Sequence, residues 1–177
     1  DFVGSNNGYV KFWYDQSGNA NHAYNLTLSK QPQIVASGSI VKTYDKPALT
    51  YSSGGNDNLI MQSELTTIRS VFEVSNPCSP TSHWNSILGD TGSYNFCGRE
   101  QTYGYFYGMT ASFYRNGYPI TTTSTPKINE QQQLSVFPTA NQKANTISQD
   151  RGATSNRSFE GDGVVQEIVI YSSDQSS

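Results

Sequence analysis

Helical periodicity is almost absent from this chain, and that absence constrains its fold more than any single motif. In place of helical periodicity the sequence offers short runs of alternating apolar and β-branched residues, each bounded by Gly, Asn, Asp or Pro. Strands are predicted near residues 10–14, 33–34, 39–43, 48–51, 58–61, 70–75, 86–89, 94–99, 103–109, 111–115, 118–123, 132–136, 145–149 and 163–171. In "SFYRNGYPI" the dipeptide Asn116-Gly117 sits between two strand-like arms. That is the strongest short hairpin signal a sequence carries, because both central positions of a tight hairpin turn need positive φ. Many short strands without a helix of normal length predict an all-β, two-sheet antiparallel sandwich of the jelly-roll kind. The 177 residues fit one domain, with no internal repeat or linker to divide them.

Charge narrows the function classes. Only 14% of residues are charged and the formal net charge is −3, with no Lys/Arg cluster, so no nucleic-acid footprint is visible. Solubility must come from Asn, Gln, Ser, Thr, Gly and Tyr, a composition that leads us to expect an extracellular, cell-surface or virion-surface protein. No apolar run is long enough to span a bilayer, so membrane insertion is not expected. The chain opens on Asp1 and closes shortly after a strong strand, which suggests an excerpt of a longer protein. Cys78 and Cys97 fit no zinc or redox spacing. Two free thiols and one disulfide across neighbouring strands both remain open.

In the final strand, "GVVQEIVIYS", strict alternation puts Val165, Glu167, Val169 and Tyr171 on one face and Val164, Gln166, Ile168 and Ile170 on the other. Both faces are mostly apolar, so a central strand covered on both sides is expected. Glu167 would then be buried and in need of a partner.

Three stretches taken together resemble the concanavalin A-like lectin/glucanase superfamily, and more narrowly its laminin-G-like jelly-roll modules of bacterial or phage type. They are "VKFWYDQSGNANHA", "YDKPALTYSSGGNDNLIM" and "SFEGDGVVQEIVIYSSDQSS", with "FYRNG" and "ISQDRG" between them in order. The resemblance implies two curved sheets and a role in binding glycans, proteins or cell surfaces; some related branches are glycanases. It also implies that "WYDQSGN" ends a strand and turns a corner. Trp13 would bury its ring there, while the Asp15 carboxylate and Asn19 amide would cap backbone N–H groups of the Gly18 turn, as Asx turns do. His22 reads as a loop-edge histidine, and His83 lies far away in sequence.

Glycoside cleavage needs two carboxylates flanking the bond. The glucanase branches carry theirs at alternate positions of one strand, and no E-x-D-x-E run exists here. Glu160 and Asp162 are two apart but lie in the turn-like "FEGDG", so no catalytic residue is assigned. Calcium is the one cofactor considered, because "GGNDNL" with Asp57 and "EGDG" with Asp162 are oxygen-rich. Ordinary turns, where Asn, Asp and Gly belong anyway, are the competing reading. In "TYGYFYGMTASFY" one strand face would carry Tyr103, Tyr105 and Tyr107. Aromatic faces stack on the C–H faces of sugars, so these tyrosines, with Trp84 and Arg99, are the candidate ligand platform. The alternative is that Tyr is simply a good strand former. Sequons at Asn25 and Asn156 matter only in a eukaryotic secretory pathway. The expected function is non-catalytic recognition of a carbohydrate or cell-surface ligand on a secreted protein or phage particle. The alternatives are a virion spike or structural domain contacting sister subunits and, behind it, a glycan-cleaving enzyme.

Overall fold

The computed structural model describes residues 3–51, 57–76, 88–90, 92, 96, 109–121, 128, 130–149 and 163–176. Strand-favouring runs separated by turn residues give, in chain order, β1 (Gly8–Tyr9), β2 (Phe12–Trp13), β3 (Ala23–Tyr24), β4 (Gln33–Ala36), β5 (Ser39–Ile40), β6 (Lys42–Thr43), β7 (Lys46–Pro47) and β8 (Leu49–Tyr51). The second half adds β9 (Leu59–Ile68), β10 (Ser70–Asn76), β11 (Leu88–Gly89), β12 (Ala111–Arg115), β13 (Tyr118–Ile120), β14 (Gln132–Pro138), β15 (Gln142–Ile147) and β16 (Gly163–Tyr171). Among the described residues the helical content is one 3₁₀ turn, Leu28–Lys30.

All pairings are antiparallel among the described residues. A nine-stranded sheet runs β1-β4-β8-β16-β10-β14-β12-β13, with β5 paired to β4, and a five-stranded sheet runs β11-β15-β9-β3-β2. Their inner faces share one apolar core. Leu49, Val71, Phe113, Leu134, Val136 and Val165 come from the large sheet, and Ala23, Leu59, Met61, Ile68, Ala144 and Ile147 from the small one. The chain is therefore an all-β sandwich, as its alternating runs require.

The strict alternation expected for the last strand fails at one place. Val74 pairs with Glu167 and Ser75 with Val165, so Gln166 is the extra residue of a β-bulge. After the bulge Ile168 and Ile170 join Val165 on the core side, and Glu167 turns out to solvent, where it is exposed. Glu167 is thus not the buried acid. The acid in the core is Glu73, 2% exposed on the inner face of β10. The outer face of the large sheet carries an edge-to-face aromatic row. Phe137 meets Tyr114 at 5.7 Å and Phe72 at 5.6 Å, and Phe72 meets Tyr171 at 6.1 Å.

Three hairpins close with two-residue turns whose central residues both have positive φ: Ser37-Gly38 (48° and 80°), Tyr44-Asp45 (48° and 61°) and Asn116-Gly117 (51° and 81°). At Gly38 a Cβ would lie 2.5 Å from the Gly4 carbonyl oxygen, so that turn demands glycine twice over. The β6–β7 turn has no glycine at all, although left-handed backbone costs a residue with a Cβ about 1 kcal/mol. Asp45→Gly is expected to stabilise the fold by about 0.5–1 kcal/mol, measured as a higher urea midpoint. An unchanged or lower midpoint would contradict the assignment of strain to this turn.

Candidate functional site

The site grows from the segment 10–16. On β2 the alternation turns Trp13 toward the core, against which it packs half-buried, and leaves Phe12 38% and Tyr14 60% exposed. Phe12 faces Tyr24 across the β2–β3 pair, with ring centroids 5.6 Å apart and planes 24° from parallel. Phe12 and Tyr14 are also near-parallel, 6.2 Å apart at 17°. The Lys11 ammonium lies 5.8 Å from the Phe12 ring centroid.

A cleft of about 340 Å³ opens beside these rings, near the lower end of what small-ligand sites occupy. Phe12, Trp13, Tyr14 and Gln16 line it from one stretch, and Pro47, Ala48, Val165 and Gln166 from strands far along the chain. Among the described residues, neither a carboxylate nor a cationic side chain lines it. Flat apolar rings beside neutral amides suit a ligand that is uncharged, has an apolar face and carries hydroxyls.

Local hydrogen bonds fix the far end of this segment. The Asp15 carboxylate accepts the Ser17 backbone N–H at 2.8 Å, the Ser17 hydroxyl at 2.9 Å and the Asn21 backbone N–H at 3.0 Å. The Ser17 backbone bond foremost, then its hydroxyl, hold the Asp15 carboxyl below the usual carboxylate range. Asn19 differs from the expectation. Its side-chain Nδ2 donates to Ser17 Oγ at 2.9 Å, and the same hydroxyl accepts the Asn19 backbone N–H at 3.3 Å, so the backbone cap comes from Ser17. His22 Nδ1 accepts the Asp15 backbone N–H at 3.1 Å, and its ring packs edge-on against Tyr14 at 5.1 Å. Asn21 brackets Ser63, accepting its N–H at 2.8 Å and donating to its carbonyl at 3.0 Å. This corner is a brace that presents Tyr14 and Gln16.

A buried amide network supports it from below. Asn25 donates to the Asn58 carbonyl and to Asn58 Oδ1, both at 3.0 Å. It also accepts the Thr27 N–H at 3.0 Å, and Gln31 donates to its carbonyl at 2.8 Å. The Asn25 sequon is therefore occupied by structure: its side chain lies in a residue only 5% exposed and spends both amide hydrogens on Asn58.

Asp57, considered as a calcium ligand, is 7% exposed and lies where its charge, after burial itself, pushes the Tyr51 phenol up. Among the described residues no group of three or more His, Cys, Asp or Glu converges. Tyr103, Tyr105, Tyr107, Trp84, Arg99, Asp162, Glu160, His83, Cys78 and Cys97 lie outside the described residues. The sequence reading missed the aromatic cleft and the interior acid Glu73. The adjacent rings of "FWY" were the available signal for the cleft; nothing local distinguishes Glu73 from a surface strand residue. No family model, no curated protein and no solved structure matches the chain.

Proposed function

We propose that this chain is a non-catalytic recognition module that binds uncharged glycan chains in the cleft lined by Phe12, Trp13, Tyr14 and Gln16, on a secreted protein or a virion. The observation that carries the reading is the lining itself: adjacent aromatic rings, two of them near-parallel, beside an amide, with no charged side chain among the described lining residues. Sugar rings present C–H faces to aromatic planes and hydroxyls to amides, and function is argued from such a site rather than from the fold. Bond cleavage would call for paired carboxylates, and the described residues of the lining include none.

A glycan array probed with and without calcium tests this. Binding to neutral glycans is expected in both conditions and is expected to be lost on Tyr14→Ala, a substitution at an exposed ring that leaves the core intact. Binding that survives Tyr14→Ala, or a blank array with folded protein, would contradict the proposal. A second reading, a virion structural domain contacting sister subunits, draws support from the half-exposed aromatic row Tyr114–Phe137–Phe72–Tyr171. Its rings interlock edge-to-face, which suits packing against a protein surface better than stacking on sugar. Sedimentation of the purified chain as a monomer would count against it.

A further inference from the structure

The β6–β7 hairpin stands apart from both sheets, as a two-stranded unit of its own. Its turn is the one among the three two-residue turns that puts an aromatic residue and no glycine at positive φ. Tyr44 at that tip is 74% exposed, so burial of its ring does not offset the backbone strain. Strained backbone held in place by its surroundings is a pointer to function. What holds the hairpin is Gln166, which the β-bulge re-aims. Its Nε2 donates to the Thr43 carbonyl at 2.9 Å and the Lys46 carbonyl at 3.1 Å, while its Oε1 accepts from Gln131 Nε2. Thr43 and Lys46 are the pair that closes the turn. Gln166, Pro47 and Ala48 also line the aromatic cleft, so the clamp and one wall of the cleft are the same piece of structure.

We propose that the β6–β7 hairpin is the specificity arm of the cleft, with Tyr44 as a ring that contacts the bound glycan and Gln166 as the residue that positions it. This rests on the glycan-binding reading above. The occupant is an uncharged sugar chain, because the described residues of the lining carry no ionic side chain and the two neighbouring charged residues at the turn, Asp45 and Lys46, have opposite signs. Tyr44 is not itself among the described lining residues and stands three positions before Pro47, which is, so a chain that extends past the cleft would meet it as a further aromatic surface. Gln166 lines the cleft, but its amide is committed to Thr43, Lys46 and Gln131, so it positions Tyr44 through the hairpin.

The test is calorimetric titration of cellohexaose, maltohexaose and chitohexaose into the wild type, Tyr14→Ala, Tyr44→Ala, Tyr44→Phe, Gln166→Ala and the Tyr44→Ala/Gln166→Ala pair. For a hexaose that binds, Tyr44→Ala is expected to weaken affinity about tenfold or more, with the melting temperature unchanged, and Tyr44→Phe to retain it within about threefold. Gln166→Ala is expected to weaken binding, and the double variant to bind no more weakly than Tyr44→Ala alone, since both act through one contact. Additive losses would overturn the positioning role of Gln166. A hexaose whose binding falls on Tyr14→Ala and is untouched by Tyr44→Ala would overturn the hairpin's role and leave the recognition site standing. Absence of wild-type binding to all three hexaoses would overturn both.

Discussion

Stability is expected to peak near pH 4.5 and to fall steadily toward pH 8, a decline traced to one residue, Glu73. Its carboxyl sits on the core face of β10, paired across the sheet with Leu134 and Ile168. Burial pushes it up to about 8 from an ordinary 4.5, with a partly offsetting hydrogen bond from Ser75 Oγ at 3.2 Å. Between those two values the folded chain keeps a proton that the unfolded chain releases. Raising the pH therefore draws the equilibrium toward the unfolded state; below 4.5 and above about 8 the contribution of this carboxyl no longer changes with pH. Each tenfold change in proton affinity is about 1.4 kcal/mol, so the loss across the window is on the order of 5 kcal/mol. Asp15 works in the opposite sense: its lowered carboxyl stabilises the fold above 3.8, and that contribution is lost at more acid pH. Glu73→Gln is expected to flatten the alkaline side of the profile and to raise stability near pH 8 by several kcal/mol, read from urea midpoints across the pH range. A wild-type profile that stays level from pH 4.5 to pH 8 would contradict the burial of this acid.

Asn25→Ala is expected to destabilise the fold by about 2–4 kcal/mol, because it removes buried hydrogen-bond partners rather than exposed ones. The substitution takes two donors from Asn58, itself 2% exposed, and one acceptor from the Thr27 N–H. Asn25→Asp is expected to be at least as damaging, since it sets an oxygen against the Asn58 oxygens. A shift below about 0.5 kcal/mol in either variant, the range of an ordinary surface change, would show that the network is not what fixes the β3–β9 junction. The same geometry makes a glycan on Asn25 incompatible with the folded chain.

Features set by neighbours in sequence were legible, and features set by distant strands were not. Asn116-Gly117 closes a hairpin where the dipeptide says it must, because the demand for positive φ falls on the turn residues themselves. The Asp15 corner was readable for the same reason: its acceptor and donors lie within a few residues. Tyr44-Asp45 carries only half such a mark, since Asp tolerates positive φ while an aromatic residue does not advertise it. The exchange of Glu167 for Glu73 as the buried acid follows from one inserted residue. A bulge at Gln166 moves Glu167 from the core side to solvent, and alternation counts cannot register an insertion. The "SVFEVSN" strand adds a second reason: Phe72 and Val74 lie outside while Val71, Glu73 and Ser75 face in, so the more apolar face is not the core face. The cleft joins residues 10–16 to 47–49 and 165–166, a meeting only the sandwich topology creates.

Resonance mapping of the labelled protein during titration with neutral hexaoses locates the bound sugar. The largest shifts are expected in the amide and ring signals of Phe12, Trp13, Tyr14 and Gln16, with smaller ones across the β6–β7 hairpin. Shifts confined to the aromatic row of Tyr114, Phe137, Phe72 and Tyr171, or none at millimolar sugar, would contradict glycan binding in the cleft.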